Sequence, residues 1–313
     1  MSLFRVPILT DGASHPAAQF RMLIKDLARG AEGITEGDDL KVTQRSTPGG
    51  GVTVADGSCV IKGRDDAFQG HYSAYNAGAF DVDIAATGGV GRSDMLIVRV
   101  KDPEYIAGLD PADPDDQIVF FEVISNVSSS ATAIPDGRTG IPLARIDIPS
   151  STATITNAMI TDLRKVANPR RDFYQFIQSP SSLSTDISGT SGTYSNFSTA
   201  PGWSVAIPDW ATTAILSLAV GQIRYNTAAF FGGLRATFGA SLTVQPVVLD
   251  DNQSGVRRGT IVLGDTLTIP SAYRGTSQTL RFQACGSAGN AGKVGVDSSS
   301  TFLANVQFLE APR

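Results

Sequence analysis

The sequence predicts a mainly β protein, with an N-terminal β module that carries one amphipathic helix and a C-terminal antiparallel β-sandwich of jelly-roll-like type. Three observations predict it. Short runs alternate apolar and polar residues over most of the chain, the period of a strand with one buried face. Glycine (32) and proline (16) recur between these runs, together with many serines and threonines, as turns require. Only one segment carries the period of a helix. With 42% hydrophobic and 18% charged residues, the 313-residue chain has apolar material for one large or two ordinary cores, and too little charge for a disordered chain.

The helix is expected over 15–29. Phe20, Leu23, Ile24 and Leu27 fall at i, i+3, i+4 and i+7 and make one apolar stripe. Ser14 is placed to cap it, Pro16 suits the first turn, and Gly30 suits the stop. Arg21, Lys25 and Arg29 put charge on the opposite face and toward the C-terminal end. The stripe needs a partner, either the following sheet or the same helix of a neighbouring subunit. These four apolar residues are therefore the packing and oligomer candidates.

Strands follow. Runs at 52–54 and 58–62 flank Ala55-Asp56-Gly57, and Asp-Gly is a strong hairpin signal. Runs at 71–75 and 80–84 flank Asn76-Ala77-Gly78, a second hairpin candidate. Strands at 95–101 and 118–124 enclose a loop rich in proline and aspartate. The second of them is apolar on both faces, so it is expected either in the middle of a sheet or under another subunit. Further strands are expected at 143–148 and between 155 and 163. Val166-Ala167-Asn168-Pro169-Arg170-Arg171 reads as a boundary, which gives a module over 1–166, a linker over 167–171 and a second domain over 172–313.

The second domain is β in pattern throughout. Ala214, Leu216, Leu218 and Val220 alternate with Ile215, Ser217 and Ala219. Leu280, Phe282 and Ala284, and then Phe302, Ala304, Val306 and Phe308, repeat that pattern. Further strands fit 194–197, 203–207, 230–238, 241–249 and 260–269. About eight strands at this spacing suit a sandwich or jelly roll. No fixed-period repeat points to a propeller or β-helix.

The sequence offers no catalytic constellation. Its two histidines are His15 and His71, so the second domain lacks the base for a Ser-His-Asp or Cys-His triad. Cys59 and Cys285 are far apart and build neither a zinc site nor a disulfide framework, which fits folding in a reducing cytoplasm. The glycine clusters at 49–51 and 88–91 lack the Lys-Ser or Lys-Thr of a phosphate loop. Asp110, Asp113, Asp115 and Asp116 are the best cation candidates, but they miss the EF-hand spacing and read better as a solvated turn. No metal or cofactor is expected. A glycosidase would need two carboxylates at a set distance; Asp186, Asp209, Asp250, Asp251, Asp265, Asp297 and Glu310 are available. Trp203, Trp210, Tyr225 and Tyr273 are the candidates for stacking on sugars, with core packing as the plainer reading. The net charge of −5 argues against nucleic acid as a partner, and no apolar run is long enough to insert in a membrane. The opening residues lack the apolar stretch of a signal peptide, so release is expected inside a particle rather than by secretion.

Five stretches over 1–166 carry a family resemblance. They are Pro7-Ile8-Leu9-Thr10-Asp11-Gly12 with the helix ending Asp26-Leu27-Ala28-Arg29-Gly30; Gly51-Val52-Thr53-Val54-Ala55-Asp56-Gly57-Ser58-Cys59-Val60-Ile61-Lys62-Gly63; the Gln69-Gly70-His71-Tyr72 to Tyr75-Asn76 segment; Arg92-Ser93-Asp94-Met95-Leu96-Ile97-Val98-Arg99-Val100-Lys101-Asp102-Pro103-Glu104-Tyr105; and Ile141-Pro142-Leu143-Ala144-Arg145-Ile146 ending in Ile160-Thr161-Asp162-Leu163-Arg164. In this order and spacing the segment resembles the N-terminal module of minor tail, fibre and upper baseplate proteins of tailed phages, especially actinobacterial siphophages. The resemblance implies a virion protein, made in the host cytoplasm, that attaches to a tail tip or baseplate, usually as a trimer. It names no catalytic residues. The second domain lies outside it and is similar, in architecture alone, to receptor-binding or decoration sandwiches.

The expectation is a non-enzymatic adhesion protein with itself, other tail proteins and a host cell-wall glycan as partners. A purely architectural tail protein, a polysaccharide depolymerase and a part of a contractile injection device are the alternatives.

Overall fold

The computed structural model describes residues 11–113 and 115–313. The chain forms two compact units, one reaching to Pro169 and taking in Pro312–Arg313, the other Arg170–Ala311.

The first unit opens with helix α1 (Ala17–Leu27). Pro16 is its N-cap, in extended backbone, and no side chain caps it, so Ser14 does not serve. The reason is local: a proline pushes the residue before it out of the helical region, so His15 is not helical and Ser14 cannot cap, while Pro16, expected in the first turn, stands one place before it. The helix ends earlier than the expected 29: Ala28 is its C-cap, Arg29 takes the left-handed position at φ +55°, and Gly30, at φ +76°, closes the turn with its N–H on the Lys25 carbonyl.

Ten strands follow: β1 (Gly33–Ile34), β2 (Val42–Gln44), β3 (Gly51–Val54), β4 (Gly57–Lys62), β5 (His71–Asn76), β6 (Phe80–Asp83), β7 (Arg92–Val100), β8 (Val119–Val127), β9 (Gly140–Ile148) and β10 (Ile160–Asp162). They make three sheets, ordered β1-β4-β5, β2-β3-β6 and β10-β9-β7-β8.

Neither expected hairpin forms. β4 pairs with β5 and β3 pairs with β6, both antiparallel, so 51–62 and 71–83 are two arms of one long ribbon. The tight return lies between Gly63 and Gly70, where the Gly63 N–H meets the Gly70 carbonyl. Asp56-Gly57 and Asn76-Ala77-Gly78 are corners at which both arms pass together from one sheet to the next. Gly57 sits at φ +137°, outside the left-handed turn region that a type I′ hairpin needs. The Asn76 amide spans the corner by donating to the Ala55 carbonyl at 2.9 Å.

The strand expected to be buried on both faces is not the central one. β8 lies at the edge of its sheet and is only half covered, whereas β7 is central, with Met95, Leu96 and Ile97 fully enclosed. The main core gathers Ile34, Ile61, Val52 and Val54 from the ribbon and its neighbours with Leu96, Leu143 and Ile146.

The second unit contains β11 (Arg171–Gln178), β12 (Ser195–Asn196), β13 (Gly202–Ala206), β14 (Thr213–Asn226), β15 (Phe230–Phe238), β16 (Leu242–Thr243), β17 (Val247–Asp251), β18 (Arg257–Thr268), β19 (Ser277–Gly286), β20 (Lys293–Gly295) and β21 (Thr301–Leu309). One sheet runs β11-β21-β14-β18, with β20 beside β14. The other runs β12-β19-β15-β16, with β13 beside β19 and β17 beside β15. This is the antiparallel sandwich the alternation predicts. Phe302 and Phe308 from one sheet meet Phe230, Phe238 and Phe282 from the other, all fully buried. The loop at 252–256 is not a hairpin, because β17 and β18 belong to different sheets.

β11 was not expected as a strand. It pairs with β21 along its whole length, from Arg171 opposite Leu309 to Gln178 opposite Phe302. The registers line up four outward rows across the four strands, with Phe173, Gln307, Ile215 and Thr266 in one row and Ile177, Leu303, Ala219 and Val262 in another.

Candidate functional site

The helix is where the first unit departs most from its pattern. Its buried residue is Arg21, which the sequence placed on the solvent face. Gly70 makes this possible, since a Cβ there would come within 2.7 Å of the Arg21 backbone. The guanidinium donates to the Gln69 carbonyl at 2.8 Å and pairs with Asp102 at 3.1 Å and with Glu104. Tyr72 donates to Asp102 at 2.6 Å and accepts from the Gln69 amide at 2.8 Å. Burial and the Asp102 carboxylate push the Tyr72 hydroxyl up, so it stays protonated as the donor. The network clamps one side of the helix. The apolar stripe is left on its flank and outside: Leu23 and Ile24 are half-buried, while Phe20 is 43% and Leu27 71% exposed.

His71 begins β5 and is buried, with neither ring nitrogen hydrogen-bonded. His15, beside the helix start, contacts Gln19 and the edge of Phe20. The two histidines are not brought together as a base or a ligand pair. A hollow of about 380 Å³ is lined by Leu40, Cys59, Tyr75, Phe80, Val119 and Phe121. Its one nucleophile is disabled, since burial pushes the Cys59 thiol up to about 12.

The sugar-stacking candidates separate. Trp203 is a core residue, stacked on Phe176 at 5.4 Å and edge-on to Phe282. Tyr225 is also core, packed on Phe230, and burial with the nearby Asp251 carboxylate pushes its hydroxyl up to about 12. Trp210 keeps a half-exposed ring beneath the Arg170 guanidinium, at 5.5 Å. Tyr273 is half-exposed, and its hydroxyl accepts the Ser241 backbone N–H at 2.8 Å. Of the four, only Trp210 and Tyr273 present surface to a ligand.

Five of the seven candidate acids of the second unit meet structural partners rather than each other. Asp186 pairs with Arg224 at 3.3 Å, Asp251 with Arg257 at 2.5 Å, Asp297 with Arg258 at 2.6 Å and Glu310 with Arg170 at 2.6 Å. Asp265 accepts the Gln245 N–H. In the aspartate loop, Asp110, Asp113 and Asp116 accept backbone N–H groups of their own loop. Among the described residues no group of three or more acidic, histidine or cysteine side chains is arranged to hold a metal, and no helix is long and apolar enough to cross a membrane.

The surface that sequence reading missed is the outer face of the β11-β21-β14-β18 sheet. Phe173 is 58%, Ile177 61% and Val262 70% exposed. The signal was present in Arg171-Asp172-Phe173-Tyr174-Gln175-Phe176-Ile177-Gln178, an aromatic run with apolar side chains at both parities.

No protein-family model matches the chain, and no curated protein matches it. Solved structures are similar only loosely. The Gx strain of infectious bursal disease virus aligns over 90% of this chain and 75% of its own, at 11% identity and a TM-score of 0.28. The VP2 subviral particle of that virus aligns over 94% and 82%, at 12% identity and a TM-score of 0.26. BuGH86 in complex with neoagarooctaose aligns over 86% and 34%, at 9% identity and a TM-score of 0.24. TM-scores of this size do not establish a shared fold.

Proposed function

We propose that the chain is a non-enzymatic structural protein of a phage tail tip or baseplate, anchored by its first unit and presenting its second to a glycan of the host surface. The observation that carries this reading is the clamped helix. A helix fixed by a buried polar network, yet turning Phe20 and Leu27 outward, is an assembly surface, because exposed apolar side chains on a rigid element gain most from a partner. The family resemblance of 1–166 supports the place in the particle. The arginine pairing of Asp186, Asp251, Asp297 and Glu310 supports a role without hydrolysis.

The test is binding of the labelled full-length protein to intact cells of the host, with purified wall glycans as competitors. Saturable binding that the glycans remove is the expected result. Its absence from a folded, assembled protein would leave the architectural role. Release of new reducing ends from wall polysaccharide would replace adhesion with depolymerisation. In parallel, Leu27→Asp is expected to remove the helix-mediated association without lowering the melting temperature, read by light scattering and calorimetry.

A further inference from the structure

We infer that the outer face of the β11-β21-β14-β18 sheet is a self-association surface, covered by the same face of a second copy of this chain. The inference stands apart from the tail reading and from the helix.

The registers fix the face. Four strands contribute four outward positions each, sixteen in all, from Arg171, Leu309, Thr213 and Thr268 at one end to Ile177, Leu303, Ala219 and Val262 at the other. That last row is apolar across the whole sheet. Phe173 and Ile215 add to it one row removed on the same side of Arg171, and the row between is held flat by the Gln175 amide donating to Asn305 at 3.0 Å and by Gly264. In a sandwich, the outer face normally carries the polar half of the alternation. Here the two edge strands instead expose Phe173, Ile177 and Val262.

Charge selects the partner. Among the sixteen positions only Arg171, at a corner, is charged, in a protein of net charge −5. A two-fold contact sets each patch against itself, so any concentrated charge would repel its own copy. This face has none to repel, and it offers no charge complement to a basic or acidic partner. Glutamine, asparagine, serine and threonine can instead hydrogen-bond with their own kind across the axis. Size agrees: four strands about 4.8 Å apart and eight residues long give roughly 500 Å² per copy. A pair would bury about 1,000 Å², the lower bound for a specific interface.

The experiment uses the full chain in two forms. Light scattering of the wild type against the double substitution Ile177→Lys with Val262→Lys should show the mass of the association unit halved, with the circular dichroism spectrum retained. Ser217→Cys, near the centre of the face, should give a disulfide-linked dimer under mild oxidation, while Thr268→Cys at the rim should not. The background is low because Cys59 and Cys285 are both buried. A wild type that stays monomeric up to about 100 μM, beyond the micromolar range in which weak specific interfaces associate, would overturn the inference. So would a mass that the lysine pair leaves unchanged and Leu27→Asp lowers, because the helix would then carry the association. Equal cross-linking at Ser217→Cys and Thr268→Cys would likewise overturn it, since that marks random collision.

Discussion

A guanidinium taken out of water is tolerated only where fixed acceptors meet it, and Arg21 meets a carbonyl and two carboxylates from loops 48 to 83 residues away. Removing it leaves Asp102, 9% exposed, without its cation. Arg21→Met is therefore expected to cost roughly 2–4 kcal/mol in urea unfolding, toward the lower end of what breaking a buried pair costs. Glu104→Gln should cost far less, because that side chain is 53% exposed. His71 is the opposite case. Its buried ring has no hydrogen-bond partner, so an apolar replacement removes a desolvation cost without breaking a bond. His71→Leu should raise stability by about 1 kcal/mol, read as a higher melting temperature. A lower one would mean that the ring's shape matters more than its polarity. Neither role was legible in the sequence: Arg21 sits where helical spacing puts a solvent-facing charge, and nothing local to it names Gln69 or Asp102.

At the level of elements, the stripe of α1, the ribbon strands and the alternation of β14, β19 and β21 were readable because each is a local period. What failed was pairing. Asp56-Gly57 and Asn76-Ala77-Gly78 carry the chemistry of turns, and the chain does turn there, but at corners shared by two strands already paired with each other. Local signals mark a change of direction and leave the partner open. β8 shows the same limit, since apolar residues at both parities predicted a strand either central or covered by another subunit, and its place at an edge removes only the first. The ribbon's true return ends at Gly70, at φ +80° and in contact with Arg21. Gly70→Ala is therefore expected to strain the return and lift the helix together. It should cost roughly 2–3 kcal/mol and raise amide exchange across α1, whereas a purely local effect would leave the helix protected.

Across the whole molecule, arginine–aspartate pairs recur in both units, and they make stability depend on acid. Hydrogen bonds from Arg138, Arg145 and Arg258 hold the carboxyls of Asp136, Asp147 and Asp297 below their usual range. Folded-state values below the unfolded ones give stability that is present above about pH 4 and lost as pH falls through the depressed values. The melting temperature should therefore be flat from neutral pH to about 5 and drop below about 4. The drop should shrink in about 1 M salt, because these pairs face solvent. Asp297→Asn should flatten part of it.

The chain enters the second unit after Pro169 and leaves it at Ala311, with Arg171 opposite Leu309 on adjacent strands. Arg313 is then tied by its N–H to the Gly37 carbonyl, by its own carbonyl to Arg164 and by its side chain to Asp38 at 2.8 Å. The second unit is therefore an insertion closed at both ends: the chain enters it after Pro169, and the two residues that follow it return to the first unit, where the ties of Arg313 hold them.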